Sequence, residues 1–278
     1  MARALRLREP SALPGFGLAF GVMMTMLSII VLVPIGALIL RGADIGLDEI
    51  WRILNTRRVW NALTLSFMTS LYAALFNLVF GVALAWVLVR YRFWGRRILD
   101  ATVDLPFALP TAVAGIALTA IYVPQGMLGQ FLVPIGIQVA YTQLGIFVAL
   151  VFVGLPFVVR TVQPVIQEIE TEVEEVSATL GAGRLRTFAQ VVLPSLLPAA
   201  LTGFALALAR AVGEYGSVIF IAGNLPNRTE IAPLLIVIRL EEFNYDGAVA
   251  IAISMLAISF AMLLVINLIQ VWSRKRYG

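Results

Sequence analysis

Six stretches of the chain are long, apolar and almost free of charge. They run roughly over Phe16–Leu40, Ala62–Val89, Thr102–Val123, Leu144–Val159, Leu196–Ala222 and Ala248–Trp272. A bilayer core about 30 Å thick takes about 20 residues of helix. The pattern therefore predicts an all-α, polytopic membrane protein: one six-helix domain over 16–272, an N-terminal segment 1–15 and a tail 273–278. The fourth stretch is short and is expected to begin earlier. The first follows Arg3, Arg6 and Arg8. It exceeds the roughly 7–15 apolar residues of a signal-peptide core and lacks a small-residue cleavage site, so it is expected to be retained as a helix.

The polar positions between these stretches differ in kind. Residues 124–143 carry no charge but hold Pro124, Gly126, Gly129, Pro134 and Gly136, which predicts a segment lying on or dipping into the membrane. Thr229–Phe243 is expected to hold a short, partly buried helix. Residues 160–194 form the most informative loop. From Ile166 the apolar positions Ile169, Val173, Val176 and Leu180 recur at helical spacing. Glu168, Glu170, Glu172, Glu174 and Glu175 fill most of the opposite face. The spacing predicts one amphipathic helix over Pro164–Leu180, ended by Gly181 in the left-handed position that closes helices. Leu185, Phe188 and Val192 share a second helical face, and Pro194 and Pro198 mark entry into the next span. A stiff helix–glycine–helix knob of this kind can transmit a rigid-body motion. The glutamate run taken alone also fits an ordinary solvated face.

Composition narrows the class. Sixty per cent of residues are hydrophobic and 13% are charged, against about 25% charged in soluble domains. That excludes a soluble globule and a disordered chain alike. There is no Cys and no His, so thiolate and imidazole chemistry are excluded. The net charge is +4, but the basic residues sit in short clusters at the ends of apolar runs, which excludes a nucleic-acid surface. With a cytoplasmic N-terminus, 13 of the 20 basic residues fall in inside segments (Arg3, Arg6, Arg8; Arg90, Arg92, Arg96, Arg97; Arg160, Arg184, Arg186; Arg274, Lys275, Arg276) and six outside (Arg41, Arg52, Arg57, Arg58, Arg228, Arg239). The excess of inside positive charge places both termini in the cytoplasm.

Two ionisable residues, Arg210 and Glu214, stand inside the fifth stretch. Their i, i+4 spacing puts them on one helix face. They fit a packing ion pair, or an arginine that lends positive potential to an anion path. Pro106 and Pro110 interrupt the start of the third stretch. Pro110, Thr111, Gly213, Tyr215, Gly216 and Ser217 fit either a neutral polar route with exposed backbone N–H groups or close helix packing. No G-x-x-x-x-G-K-[ST] run occurs, so nucleotide binding by a P-loop is excluded here. A membrane enzyme would have to draw on Asp100, Asp104 and the glutamate run, which follows a helix face instead of converging. A passive channel or secondary transporter leaves the 160–194 loop unexplained.

Glu175-Val-Ser-Ala-Thr-Leu-Gly181, followed by Val191-Val-Leu193-Pro194, resembles the E-A-A…G…I-x-L-P loop of ABC-importer permeases. Val176-Ser177 stands where Ala-Ala is usual, and Val191 where Ile is. The resemblance implies the type I ABC-importer permease fold, with cytoplasmic coupling helices that dock on an ATPase through Glu174, Glu175, Ser177, Ala178, Gly181, Ala182, Leu193 and Pro194. It implies no cofactor in this chain, with ATP and Mg²⁺ on two ATP-binding cassette subunits. Asp104–Gly115 and Ala209–Asn224 resemble permeases of bacterial sulfate/thiosulfate importers. That implies an inner-membrane protein surrounded by lipid, paired with a related W-type permease and served by an extracytoplasmic sulfate/thiosulfate-binding protein. Molybdate and tungstate permeases share the Arg-Ala-x-Gly-Glu type of segment and give the alternative substrate.

Overall fold

The structure is a computed structural model. It describes residues 16–277, apart from the side chains of residues 171, 178 and 272–277. The segment 1–15 and the basic side chains at the C-terminus, which enter the orientation count, lie outside the described residues. So does the side chain of Ala178.

Every regular element among the described residues is helical. Besides four one-turn segments, they are, in chain order, α1 (Phe16–Ile45), α2 (Leu47–Leu54), α3 (Arg57–Arg90), α4 (Arg96–Val103), α5 (Thr111–Tyr122), α6 (Gln143–Glu168), α7 (Thr171–Thr179), α8 (Arg184–Val212), α9 (Ala232–Glu241) and α10 (Tyr245–Tyr277). Five of these (α1, α3, α6, α8 and α10) are long and apolar enough to cross a membrane.

The third expected span departs from this. A one-turn helix, Leu105–Ala108, is followed by extended Leu109 and then by α5, which has 12 residues, about 18 Å at 1.5 Å per residue. Proline disfavours helical backbone angles at its predecessor, and at Leu109, which is extended before Pro110, the stretch splits. The fifth span ends at Val212 instead of Ala222. The Glu214 carboxylate accepts from the Ser217 backbone N–H and hydroxyl, a local turn that competes with continued helix. The amphipathic helix expected over Pro164–Leu180 is likewise two helices, because Ile169 is extended (ψ 112°). The segment 124–143 folds back on the end of α5, where Leu128 N–H donates to the Ile121 carbonyl.

Three helices, α3, α6 and α8, form the centre. Lipid tails are as apolar as leucine, so close packing through small residues, with no water to exclude, must hold such helices together. Val158 of α6 sits between Gly81 of α3 and Gly203 of α8. A methyl on Gly203 would meet Val158 Cα at 2.8 Å, and one on Gly81 would meet its Cγ1 at 2.9 Å. Around this wedge lie Val159, Val162, Leu196, Ala200 and Ala207, all buried. The α10 helix packs on α9, α8 and α1. The apolar surface of α1 is almost entirely bare within this chain.

Because backbone meets the Gly203 position, relief by a rotamer change is blocked. Gly203→Leu is expected to destabilise the bundle by about 1–3 kcal/mol, seen as a lower unfolding midpoint in detergent. Gly213→Ala, where nothing lies within 4 Å, should leave that midpoint nearly unchanged.

Candidate functional site

The α7–α8 hairpin projects from the end of the bundle where α3 terminates. Its turn closes as expected: Gly181 adopts φ +83°, and Ala182 N–H donates to the Ser177 carbonyl at 3.1 Å. This six-to-one bond is the Schellman closure. The two arms are tied where the hydroxyls of Ser177 and Thr187 lie 2.9 Å apart. Beyond Thr187 a π-turn over Phe188–Val192 leads into Leu193-Pro194. Widening the turn accommodates a proline that lacks the N–H for a regular helical bond. Leu193 is exposed and Pro194 half-buried.

Arg90, the last residue of α3, joins hairpin to bundle. Its Nη2 donates to the Ile169 carbonyl at 2.9 Å, at the break between α6 and α7. It also lies 2.8 Å from Glu174 Oε1 of α7. The guanidinium stands 5.3 Å from the Trp86 ring centroid. Trp86 in turn meets Phe188 edge-on at 5.7 Å. One cation thus holds the break, the first arm and, through Trp86, the second arm. Glu175, one residue on, is exposed.

The apolar face read from the sequence divides at this junction. Ile166 is buried in the bundle, whereas Val173 and Val176 are exposed. Leu180 is 82% exposed and Leu185 87%. The tip of the knob therefore presents large apolar side chains that no described residue covers.

A second group lies between α5 and the end of α8. Arg210 and Glu214 form an ion pair. The Glu214 side chain is 2% exposed, and its Oε1 accepts from Ser217 N–H at 2.8 Å and Ser217 Oγ at 2.9 Å. Gly216 lies against Thr111, and Gly115 against the Ser217 backbone, which brings the start of α5 onto this turn. Pro110 and Gly213 are exposed, and Tyr215 is half-buried. Arg210's charge is spent on Glu214.

Two further ion clusters were invisible in the sequence pattern. Arg160 uses all five N–H donors: two reach Asp104 at 2.7 and 2.6 Å, and the others reach Asp100 Oδ1 at 2.7 Å, Gln163 Oε1 at 2.5 Å and the Asp100 carbonyl at 2.9 Å. Asp100 and Asp104 are thus structural partners that fasten α4 to α6. Burial pushes the Asp100 carboxyl up, but hydrogen bonds from Gln163 and Arg160, with the charges of Arg160 and Arg96, outweigh it and hold the group below its ordinary value. At the far end of α3, Arg58 grips Glu230 with two bonds, 2.8 and 2.7 Å. The Glu230 side chain is 1% exposed. These partners stand 172 residues apart, beyond any local pattern.

Long apolar helices, buried charges that are paired and a rigid knob with an apolar tip define a membrane-embedded, multi-pass helical transport subunit. The chain belongs to the family described as binding-protein-dependent transport system inner membrane component, whose model matches residues 77–278. It is 48% identical over 249 residues to the sulfate transport system permease protein CysT of Synechocystis sp., covering 90% of this chain and 87% of that one. Against the protein of the same name from Escherichia coli K12 it is 46% identical over 266 residues, covering 96% and 95%. Its backbone matches a crystal structure of a bacterial ABC transporter involved in alginate import with a TM-score of 0.75 at 16% identity, over 91% of this chain and 95% of that one. The methionine ABC transporter MetNI, in an inward-facing conformation, matches with a TM-score of 0.56 at 20% identity, over 82% and 99%. These two structures share the fold.

Glu214→Ala strands Arg210 in the span and removes Ser217's acceptor. Breaking a buried pair from one side costs about 3–5 kcal/mol, so a clear loss of stability in detergent is expected. The joint Arg210→Met/Glu214→Leu replacement should recover much of it. For Asp100 the folded value is lowered, so its contribution is present above the unfolded value near pH 4 and is lost as pH falls through the folded one. Thermal stability should hold from pH 7 to pH 5 and decline below about pH 4, with a shallower decline in Asp100→Asn.

Proposed function

We propose that this chain is a permease subunit of an ATP-driven importer of sulfate and thiosulfate. Support for the substrate comes from the sulfate permeases it resembles over nearly its whole length. Support for the coupling role comes from one observation above the others: an apolar tip, Leu180 and Leu185, on a stiff hairpin fastened to α3. Exposed leucines on a monomer mark a surface that a partner covers. The partner on this reading is an ATP-binding cassette subunit that carries ATP and Mg²⁺.

The complex would hold two such ATPases, this chain with a related second permease of W type, and an extracytoplasmic binding protein that delivers the anion. The broken third span, one-turn helix plus α5, would complete six crossings, with the knob and both termini cytoplasmic. The docking positions on this reading are Glu174, Glu175, Ser177, Ala178, Gly181 and Ala182 on the first arm and turn, with Leu193 and Pro194 at the far end of the second arm. Closure of the ATPases would pull the knobs and switch the path between its two openings. Pro110, Thr111, Gly213, Tyr215 and Ser217 would line part of that path, with the Arg210–Glu214 pair beside it.

Leu180→Asp with Leu185→Asp is expected to weaken ATPase association at least about tenfold and to abolish sulfate uptake by the reconstituted importer. The variant should fold normally, because neither side chain is covered in this chain. Gly181→Pro, which cannot adopt φ +83°, should uncouple hydrolysis from uptake. Full coupling in either variant would contradict the docking assignment.

A further inference from the structure

At the end of the bundle opposite the knob lies a cleft of about 710 Å³. One wall is the outer part of α3, where Trp60, Thr64, Met68 and Tyr72 recur every fourth residue and so form a stripe down one helix face. Gln143 at the start of α6 and Arg228, whose carbonyl accepts from Gln143 Nε2, also line it. No carboxylate lines the cleft.

The loop that carries Arg228 is a built structure. Thr229 Oγ1 accepts from Leu225 N–H at 2.9 Å. Gln143 Nε2 donates to the Arg228 carbonyl at 2.9 Å. Glu230 is held by Arg58 at two points, and Ala232 N–H donates to Ser66 Oγ at 2.8 Å. The backbone on both sides of Arg228 is therefore tied to α3 and α6. Its guanidinium has no ion partner among the described residues. Arg58, Arg90, Arg160 and Arg210 are each neutralised by a carboxylate.

We infer that this cleft is the portal through which a small oxyanion enters the subunit, with Arg228 as the group that attracts it. The inference rests on the sulfate reading above. A rigidly carried, unpaired guanidinium in an acid-free concavity raises the local concentration of anions. The hydroxyls of Thr64 and Tyr72 and the Trp60 indole N–H, which have no partner among the described residues, can donate to an anion's oxygens in place of water. A single fixed charge in an open cleft attracts a dianion without trapping it, and a portal must let go. The stripe along α3 then offers a graded route from rim toward membrane.

The chain has no cysteine, so Thr64→Cys places one thiol in the cleft of the assembled importer in proteoliposomes. Its reaction rate is read with an anionic sulfonate-bearing methanethiosulfonate and with the cationic trimethylammonium reagent. The anionic reagent should react faster. The anion-to-cation rate ratio should fall about tenfold in Arg228→Gln, the order expected when a unit charge in the same cleft acts with opposite sign on the two probes. Arg228→Lys should keep the ratio. Sulfate should slow the anionic reagent more than chloride does at equal ionic strength. A ratio unmoved by Arg228→Gln overturns the portal, even if that variant lowers uptake, because the arginine would then act outside the cleft. A thiol that neither reagent reaches overturns it as well. If the parent importer moves no sulfate, the sulfate reading fails, and the labelling ratio still decides whether the cleft draws anions.

Discussion

The arrangement depends on Arg90. A membrane helix can carry work to its end only if something at that end is fixed to what moves. Here the last residue of α3 donates to the Ile169 carbonyl, pairs with Glu174 and lies over Trp86. The carbonyl at Ile169 is left open by the break between α6 and α7, so the same bond that holds α7 also satisfies a backbone acceptor that the broken helix exposes. Loss of this cation would free the knob from the bundle and leave Glu174 without its counter-charge. The ring contact of Trp86 with Phe188 extends the grip to the second arm. The hairpin is therefore fastened to the α3–α6–α8 core at both arms.

Membrane burial imposes a second condition, that charge be neutralised where water is scarce. Arg58, Arg160 and Arg210 each meet a carboxylate, and Glu214 and Glu230 are almost wholly enclosed. The Arg58 and Arg160 pairs join distant segments and fix helices that apolar packing alone would let slide, whereas Arg210–Glu214 is local to the end of α8. Arg228 is exposed and has no ion partner among the described residues, and it lines a cleft on the side away from the knob. The placement separates two tasks along α3. One end, near Arg58, positions the loop that carries Arg228. The other, at Arg90, is joined to the exposed hairpin. About 48 Å of helix lies between them, 32 residues at 1.5 Å each.

Much of this was legible in the chain. Hydropathy marked the long helices, because a bilayer demands length and leaves few polar positions. The turn at Gly181 followed from its place after a periodic run, and its left-handed φ agrees. Three departures share a cause. Pro110, Ile169 and Gly213–Ser217 each end a helix through local backbone chemistry, while the surrounding apolar run continues and hides the break. The ion clusters were illegible for another reason. Arg58 with Glu230, and Arg160 with Asp100 and Asp104, join distant segments, and only the packing of α3 and α6 brings them together. Arg90 entered the sequence reading solely as a positive charge at a helix end, since nothing local says that it reaches α7. Arg210 and Glu214 were legible as a pair from their spacing, yet the Ser217 bonds that complete the site were not.

The central claim is that knob and α3 move as one body. It is tested most directly by electron spin resonance distances within a single chain. Spin labels at Val79→Cys on α3 and Glu172→Cys on the knob, both exposed positions outside the docking tip and the cleft, would be compared in the reconstituted importer before and after ATP is added. An unchanged distance is expected while access to the path switches, and the distribution should broaden in Arg90→Ala. A shift of several ångströms between the two labels on ATP binding, with Arg90 intact, would contradict the rigid connection.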